Sequence, residues 1–179
     1  MSQANKNSSY TISIDPGFRH CGVSCFQGNT LKHATLVETQ SKSDVDPADQ
    51  FSKMGSAVAD YVESLGIGNS FDVAIEYPQQ YQRTPSPRES VQRLVGVIGA
   101  ILAALQSRTG GLSVRVTSYT PQAWKGQVPK EIMNQRVLGR LIESELSSLP
   151  AYPKSKMHNV LDAIGIGLKH LKRLELKRA

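Results

Sequence analysis

Tyr10-Thr11-Ile12-Ser13-Ile14-Asp15-Pro16-Gly17 decides how the rest of the chain reads. Tyr10, Ile12 and Ile14 alternate with smaller polar residues, the period of a strand with one face in a core. Pro16-Gly17 breaks the strand immediately after an acid. Outward from it, Cys21 to Phe26 reads as a second strand, Gly28-Asn29 as a tight turn and Thr30 to Glu38 as a third strand, so the chain opens as a β-meander.

The remainder alternates. A helix is expected from Pro47 to about Leu65, ended by Gly66 and Gly68. Phe71 to Glu76 is a compact apolar strand suited to the middle of a sheet. Tyr77 to Pro87 is a loop holding Pro78, Pro85, Pro87, Tyr81 and Arg83. Ser86, Pro87 and Glu89 form a capping pattern for a helix over 88–107, with Val91, Leu94, Val95, Ile98, Leu102 and Leu105 as its apolar stripe. Leu112 to Ser118 is a strand and Thr120-Pro121 opens a short helix. Val128-Pro129 opens a longer one to about Leu146, residues 147–156 form a linker, and a last helix runs from about Met157 to Leu176. Three strands, helix, strand, helix, strand and then helices make an α/β layout with mixed pairing, read as one domain over 10–179 after a disordered polar tail over 1–9.

Composition narrows the function classes. No stretch approaches the roughly 20 apolar residues of a membrane span, and the polar start lacks a signal core, so the protein is expected to be cytoplasmic. Cys21 and Cys25, about 13 Å apart in an extended strand, cannot form a disulfide and read as core residues. The net charge is +6. Residues 1–120 hold ten Lys/Arg and ten Asp/Glu, whereas 121–179 hold eleven and five, so the excess lies wholly in the last third. That asymmetry suits an acidic partner such as nucleic acid, or a solvated basic surface.

Two acids, Asp15 and Glu76, end strands, and ligands of open α/β sheets gather at such ends. An acid there can also cap a turn. In the last helix His158, Asp162, Gly165 and Lys169 form a stripe beside the apolar one of Met157, Val160, Leu161, Ile164, Leu168 and Leu171. Gly165 and Gly167 cost a helix roughly 1 kcal/mol each against alanine, which suggests close approach to a sheet or a ligand. Three carboxylates from distant parts of a chain can hold two divalent ions about 3.5–4 Å apart, the arrangement that activates water and stabilises charge in phosphodiester hydrolysis.

Ile14-Asp15-Pro16-Gly17 with Gly22, Val73-Ala74-Ile75-Glu76 and His158-Asn159-Val160-Leu161-Asp162-Ala163 together resemble, in order and separation, the acidic motifs of RuvC-type Holliday junction resolvases. The resemblance implies an RNase H-like fold, a mixed central sheet of about five strands flanked by helices. It implies a structure-selective endonuclease that resolves four-way DNA junctions, with Mg2+ or Mn2+, two ions per site, held by Asp15, Glu76 and Asp162. Family members carry a fourth ligand one turn before the last Asp; here His158 and Asn159 stand there. His158 is favoured as the better ligand, and a nitrogen donor makes Mn2+ relatively better than at an all-oxygen site. Thr120-Pro121-Gln122-Ala123-Trp124-Lys125-Gly126 resembles the segment that brings a basic residue to the scissile phosphate. Lys125 matches it, and Lys130 matches a second family lysine at shorter spacing. In the resemblance the loop after Glu76 carries an aromatic into the junction centre, for which Tyr77 and Tyr81 are candidates; the same tyrosines could pack the loop onto the domain. Arg83 and Arg88 could touch phosphates, and Lys169, Lys172 and Arg173 extend the basic surface or only solvate a helix end. A homodimer around helix 88–107, through Gly96, Gly99, Ala100 and Ala103, is also implied; the same small residues suit packing within the chain. The compact form fits a phage-encoded member acting at the nucleoid of a bacterial host. The rivals are an RNase H-like nuclease for RNA–DNA hybrids or flaps and a non-catalytic branched-DNA binder. An actin-like ATPase would need two such domains, and the chain also lacks a Walker-type GxxxxGK(S/T) loop.

Overall fold

The computed structural model describes residues 9–40, 45–68, 70–79, 88–109 and 114–175. Residues 1–8 of the expected tail 1–9, Tyr81, Arg83 and the cap at Ser86 lie outside the described residues. The elements are β1 (Tyr10–Asp15), β2 (His20–Gln27), β3 (Thr30–Glu38), α1 (Pro47–Ser64), β4 (Phe71–Glu76), α2 (Arg88–Arg108), β5 (Arg115–Tyr119), α3 (Pro121–Trp124), α4 (Lys130–Leu138), α5 (Glu143–Ser147) and α6 (Lys154–His170). They build one five-stranded sheet in the order β3-β2-β1-β4-β5. The meander β1–β3 is antiparallel, turned by Gly28 at φ +56°, a conformation that glycine adopts without steric cost. β4 and β5 run parallel to β1 and to each other.

Strand parity assigns the two faces. Ile12, Ile14, Cys21, Val23, Cys25, Val73 and Ile75 pack with α1 and α2. Phe26 and Ala74 pack with α6, Trp124 of α3 and Met133 and Val137 of α4 on the opposite face. Both cysteines are free and buried. α1 joins α2 by small-residue contact: a Cβ on Gly55 would stand 2.6 Å from the Ala100 carbonyl oxygen, and one on Gly96 2.4 Å from the Phe51 ring.

Four sequence expectations change. The helix expected over 129–146 is two, because the chain leaves helical geometry after the cap at Gly139 and restarts at Glu143. Residues 154–156 belong to α6 rather than to a linker, and α6 ends at His170 rather than near Leu176; Pro153 at its N-cap supplies a fixed φ and has no N–H to lose. The buried face of α2 is Val97, Ile98, Ile101 and Leu105, with Val95 exposed, since α1 covers a strip slightly rotated from the expected stripe. Ser90–Arg108 is also long and apolar enough, by length and composition alone, to cross a membrane, contrary to the reading above.

α6 ends in a Schellman turn: the N–H of Arg173 donates to the Leu168 carbonyl and that of Lys172 to Lys169. Lys172 occupies the left-handed position at φ 58°, where a side chain costs about 1 kcal/mol. Lys172→Gly is therefore expected to raise the thermal midpoint by about 2–4 °C; calorimetry showing a fall would mean that Lys172 makes compensating contacts.

Candidate active site

The site begins with register. β1 and β4 are parallel neighbours with Ile14 opposite Ile75, so Asp15 and Glu76 occupy the next positions at the carboxyl ends of adjacent strands. Ile14 and Ile75 belong to the core beneath α1 and α2; alternation turns the residues that follow them to the α6 face.

α6 reaches that face through glycines. Gly22, opposite Asp15 on β2, would drive a Cβ to 2.0 Å from the Asn159 carbonyl oxygen. Gly167 would drive one to 2.3 Å from Phe26 and 2.5 Å from Ser13 Oγ, and Gly165 one to 2.6 Å from Trp124. The close approach inferred from two helix-interior glycines is thus to the sheet and to α3. A helix seated this tightly delivers Asp162 to the strand ends.

α3 completes the cluster. Thr120 caps it by accepting from the Ala123 N–H, and Pro121 begins it. The Trp124 Nε1–H donates to Glu76 Oε2 at 2.6 Å. Lys125 Nζ stands 3.5 Å from the same oxygen and 3.6 Å from Asp162 Oδ2, and 4.8 Å from the Trp124 ring centroid, within cation–π range. Its side chain is 27% exposed. Burial works against its charge, but Asp162, Glu76 and Asp15 outweigh burial and raise its pKa. Lys130, at the start of α4, lines a cavity of about 150 Å³ with Lys125, Val128, Met133 and Asp162.

Asp15 feels the crowding most. Burial first, then Asp162 and Glu76, push its pKa well above the usual carboxylate value, against smaller opposing pulls from Lys125 and Lys130. A buried carboxylate beside two others needs more positive charge than one lysine brings. Asp15→Asn is accordingly expected to raise the thermal midpoint of the protein in EDTA by a few degrees. A drop in the midpoint in EDTA would show that the Asp15 carboxylate is not strained.

Among the described residues, no three His, Cys, Asp or Glu side chains stand close enough to close on one ion as they are. The donor set nevertheless fits a hard divalent cation: three carboxylate-bearing positions at one strand edge, with the ammonium of Lys125 occupying the position of a cation between Glu76 and Asp162. Closing the carboxylates on a metal requires that ammonium to move aside. His158 lies one turn before Asp162 and, like Asn159, is half-buried; among the described residues no hydrogen bond or ion pair ties its ring to the cluster.

The structure therefore brings together Asp15, Glu76, Asp162, Lys125 and Lys130. Tyr77 follows Glu76, is 42% exposed and is anchored by its N–H to the Tyr119 carbonyl. Trp124 was quoted in the sequence only as part of a motif; its role as donor to Glu76 shows in the fold alone, though a tryptophan that is the sole one in the chain, beside the candidate lysine, was a usable signal. Of the small residues proposed for a dimer face, Gly96 and Ala100 are used by α1, while Gly99 and Ala103 are exposed.

No family model matches the chain, and no curated protein matches it. Solved structures do. RuvC of T. thermophilus in complex with a Holliday junction substrate superimposes with a TM-score of 0.63 at 22% identity, covering 90% of this chain and 92% of that one. A second Thermus thermophilus RuvC structure gives 0.60 at 24% identity, with the same coverage. The yeast mitochondrial Holliday junction resolvase gives 0.57 at 13% identity, over 93% of this chain and 82% of that one. The mixed sheet, its strand order and the helices on both faces are those of the RNase H-like architecture, and this chain has the fold of the RuvC-type resolvases.

Proposed function

We propose that this protein is a metal-dependent endonuclease that resolves four-way DNA junctions by cutting opposing strands. The observation that carries the reading is the convergence of Asp15, Glu76 and Asp162, from two adjacent strand ends and one helix, around the Lys125 ammonium. That is a grouping whose chemistry suits phosphodiester hydrolysis. The three carboxylates would hold Mg2+ or Mn2+, and two such ions supply an activated water and charge neutralisation on the attacked and leaving oxygens. Trp124 holds one Glu76 oxygen, leaving the other for a ligand. Once released from the carboxylates, Lys125, with Lys130 beside it, faces the negative charge that develops on the phosphate. Tyr77, next to Glu76 and 42% exposed, would offer its ring to an unpaired base. The similar Thermus RuvC was solved with junction DNA, which supports a branched substrate here. Tyr81 and Arg83, which lie outside the described residues, belong to the same proposed contact surface.

Symmetric cutting of a junction calls for a homodimer. The exposed side of α2, with Val95, Gly99 and Ala103, is the proposed dimer face. His158 is retained as the proposed fourth ligand; with it, Mn2+ is expected to support a faster rate than Mg2+ at saturating metal, and equal rates would remove His158 from the set.

The test is cleavage of a synthetic four-way junction, a matched duplex and an RNA–DNA hybrid with either metal. Paired nicks in opposing strands of the junction, with duplex and hybrid intact, are expected. Cutting of the hybrid alone would assign the fold to hybrid hydrolysis, and binding without cutting would make the protein a junction-recognition module.

A further inference from the structure

A second cavity, of about 260 Å³, is lined by Trp124, Lys125, Met133, Arg136, Arg140 and Lys169, together with Leu174 and Glu175. Lys125 and Met133 also line the smaller cavity at the carboxylates, so the two spaces are neighbours sharing a wall. Its charge is lopsided: four cations face one carboxylate. Lys125 is engaged by Glu76 and Asp162, and Lys169 by Glu175 at 3.2 Å. Arg136 and Arg140 have no ion-pair partner among the described residues. They stand four apart in sequence, Arg136 in the last turn of α4 and Arg140 just past its cap at Gly139.

The walls are held from behind. Arg173 donates to the Arg140 carbonyl at 2.7 Å and forms a two-point pair with Glu145, at 2.8 and 2.9 Å. Glu145 itself is 2% exposed. The Arg140 backbone and the Leu174–Glu175 edge are therefore fixed by a buried clamp, giving the cavity a preformed shape. The apolar parts of Trp124, Met133 and Leu174 line one part of it and guanidinium groups another. A volume below the roughly 300–1,000 Å³ of drug-sized ligand sites admits a single nucleotide unit and excludes a duplex.

We propose that this cavity is a nucleotide seat: Arg136 and Arg140 take the backbone phosphate next to the one at the carboxylates, and the apolar wall takes its sugar or base. The seat would hold one strand in a single register while the neighbouring bond is cut. The nucleic-acid ligand rests on the nuclease reading; the preference for a branched substrate does not enter.

The test uses the full-length protein in EDTA, with 5′-labelled single-stranded (dT)4 as probe. Anisotropy reports affinity, and the fluorescence of Trp124, the only tryptophan in the chain, reports whether the seat is filled. Saturable binding with a matching Trp124 change is expected. R136Q/R140Q should weaken binding at least tenfold and flatten the dependence of log affinity on log salt by about 0.7, the share of one phosphate contact on a single strand. R136K/R140K, which keeps both charges, should restore most of it. Equal affinity in wild type and R136Q/R140Q, no saturable binding, or weakened binding without a Trp124 response would each overturn the seat. A thermal scan of R136Q/R140Q guards against misfolding, and R136A and R140A taken singly replace it if its midpoint falls. Junction preference is read separately, so its absence would sink the resolvase reading while leaving the seat to stand or fall on (dT)4.

Discussion

Asp162→Asn is expected to lower junction cleavage about a thousandfold or more while leaving the protein folded. Loss of an outer partner of a metal ligand costs about 10–100-fold, and the loss of a ligand itself should exceed that; a thousandfold is about 4 kcal/mol of barrier. Asparagine keeps the shape of the side chain on α6 and removes its charge. With that charge gone, Lys125 keeps only Glu76 among its two near carboxylates, and Asp15 loses one of the two acids that crowd it. The metal-free midpoint should therefore not fall. Metal affinity, followed by isothermal titration of Mn2+, should weaken in parallel with the rate. A variant that cuts within tenfold of wild type would remove Asp162 from the metal cage and with it the mechanism proposed.

Glu145→Ala is expected to destabilise the protein by about 3–5 kcal/mol, the cost of stranding one partner of a buried ion pair. That corresponds to a fall of about 6–20 °C in the thermal midpoint for a chain of this size. Glu145 accepts from the Leu31 N–H at 2.7 Å, the Ile142 N–H at 3.0 Å and both terminal nitrogens of Arg173, while Arg173 also donates to the Asn29 carbonyl at 2.5 Å. One carboxylate thus ties the β2–β3 hairpin, the start of α5 and the segment after α6. Methionine at both 145 and 173 should recover only part of the loss, because the Asn29 and Arg140 carbonyls stay without their donor.

The same pair sets a pH dependence. Burial alone would raise the Glu145 pKa, but the Arg173 guanidinium and the N–H groups of Leu31 and Ile142 outweigh it and hold it at about 2. A folded-state pKa below the unfolded value, ordinarily about 4.3, stabilises the protein above the unfolded pKa. That stability drains as pH falls through the interval toward 2. Wild type should accordingly lose stability between about pH 4.5 and 2 more steeply than Glu145→Gln, measured by urea unfolding at stepped pH. Parallel curves would show that the clamp carries no proton linkage.

Much of the fold was legible along the chain because it follows from local rules. The alternation in Tyr10–Asp15, the turn at Gly28 and the compact run Phe71–Glu76 appear at those positions, since strand period and turn geometry are properties of neighbouring residues. Gly165 and Gly167 signalled a close approach correctly, because a helix keeps such residues only where something leaves no room for a Cβ. Errors arose where the reading depended on what lies opposite. The buried face of α2 is rotated because α1 chooses it, and the stretch after Pro129 breaks into α4 and α5 because Leu141 and the Glu145 carboxylate dock inward. Nothing in the sequence singled out Glu145, because its partner sits 28 residues on.

The acids themselves, their places at strand ends and on one helix, and the basic bias of the last third are written in the sequence, for each depends only on residue identity and local period. Their union is not. Parallel pairing of β1 with β4 sets Asp15 beside Glu76, contact at Gly22 brings α6 over them, and α3 inserts Lys125 and Trp124. Likewise only tertiary packing left Arg136 and Arg140 facing a cavity. Periodicity states which way a side chain points within its own element; long-range pairing decides what it meets, and charge acts on whatever it meets.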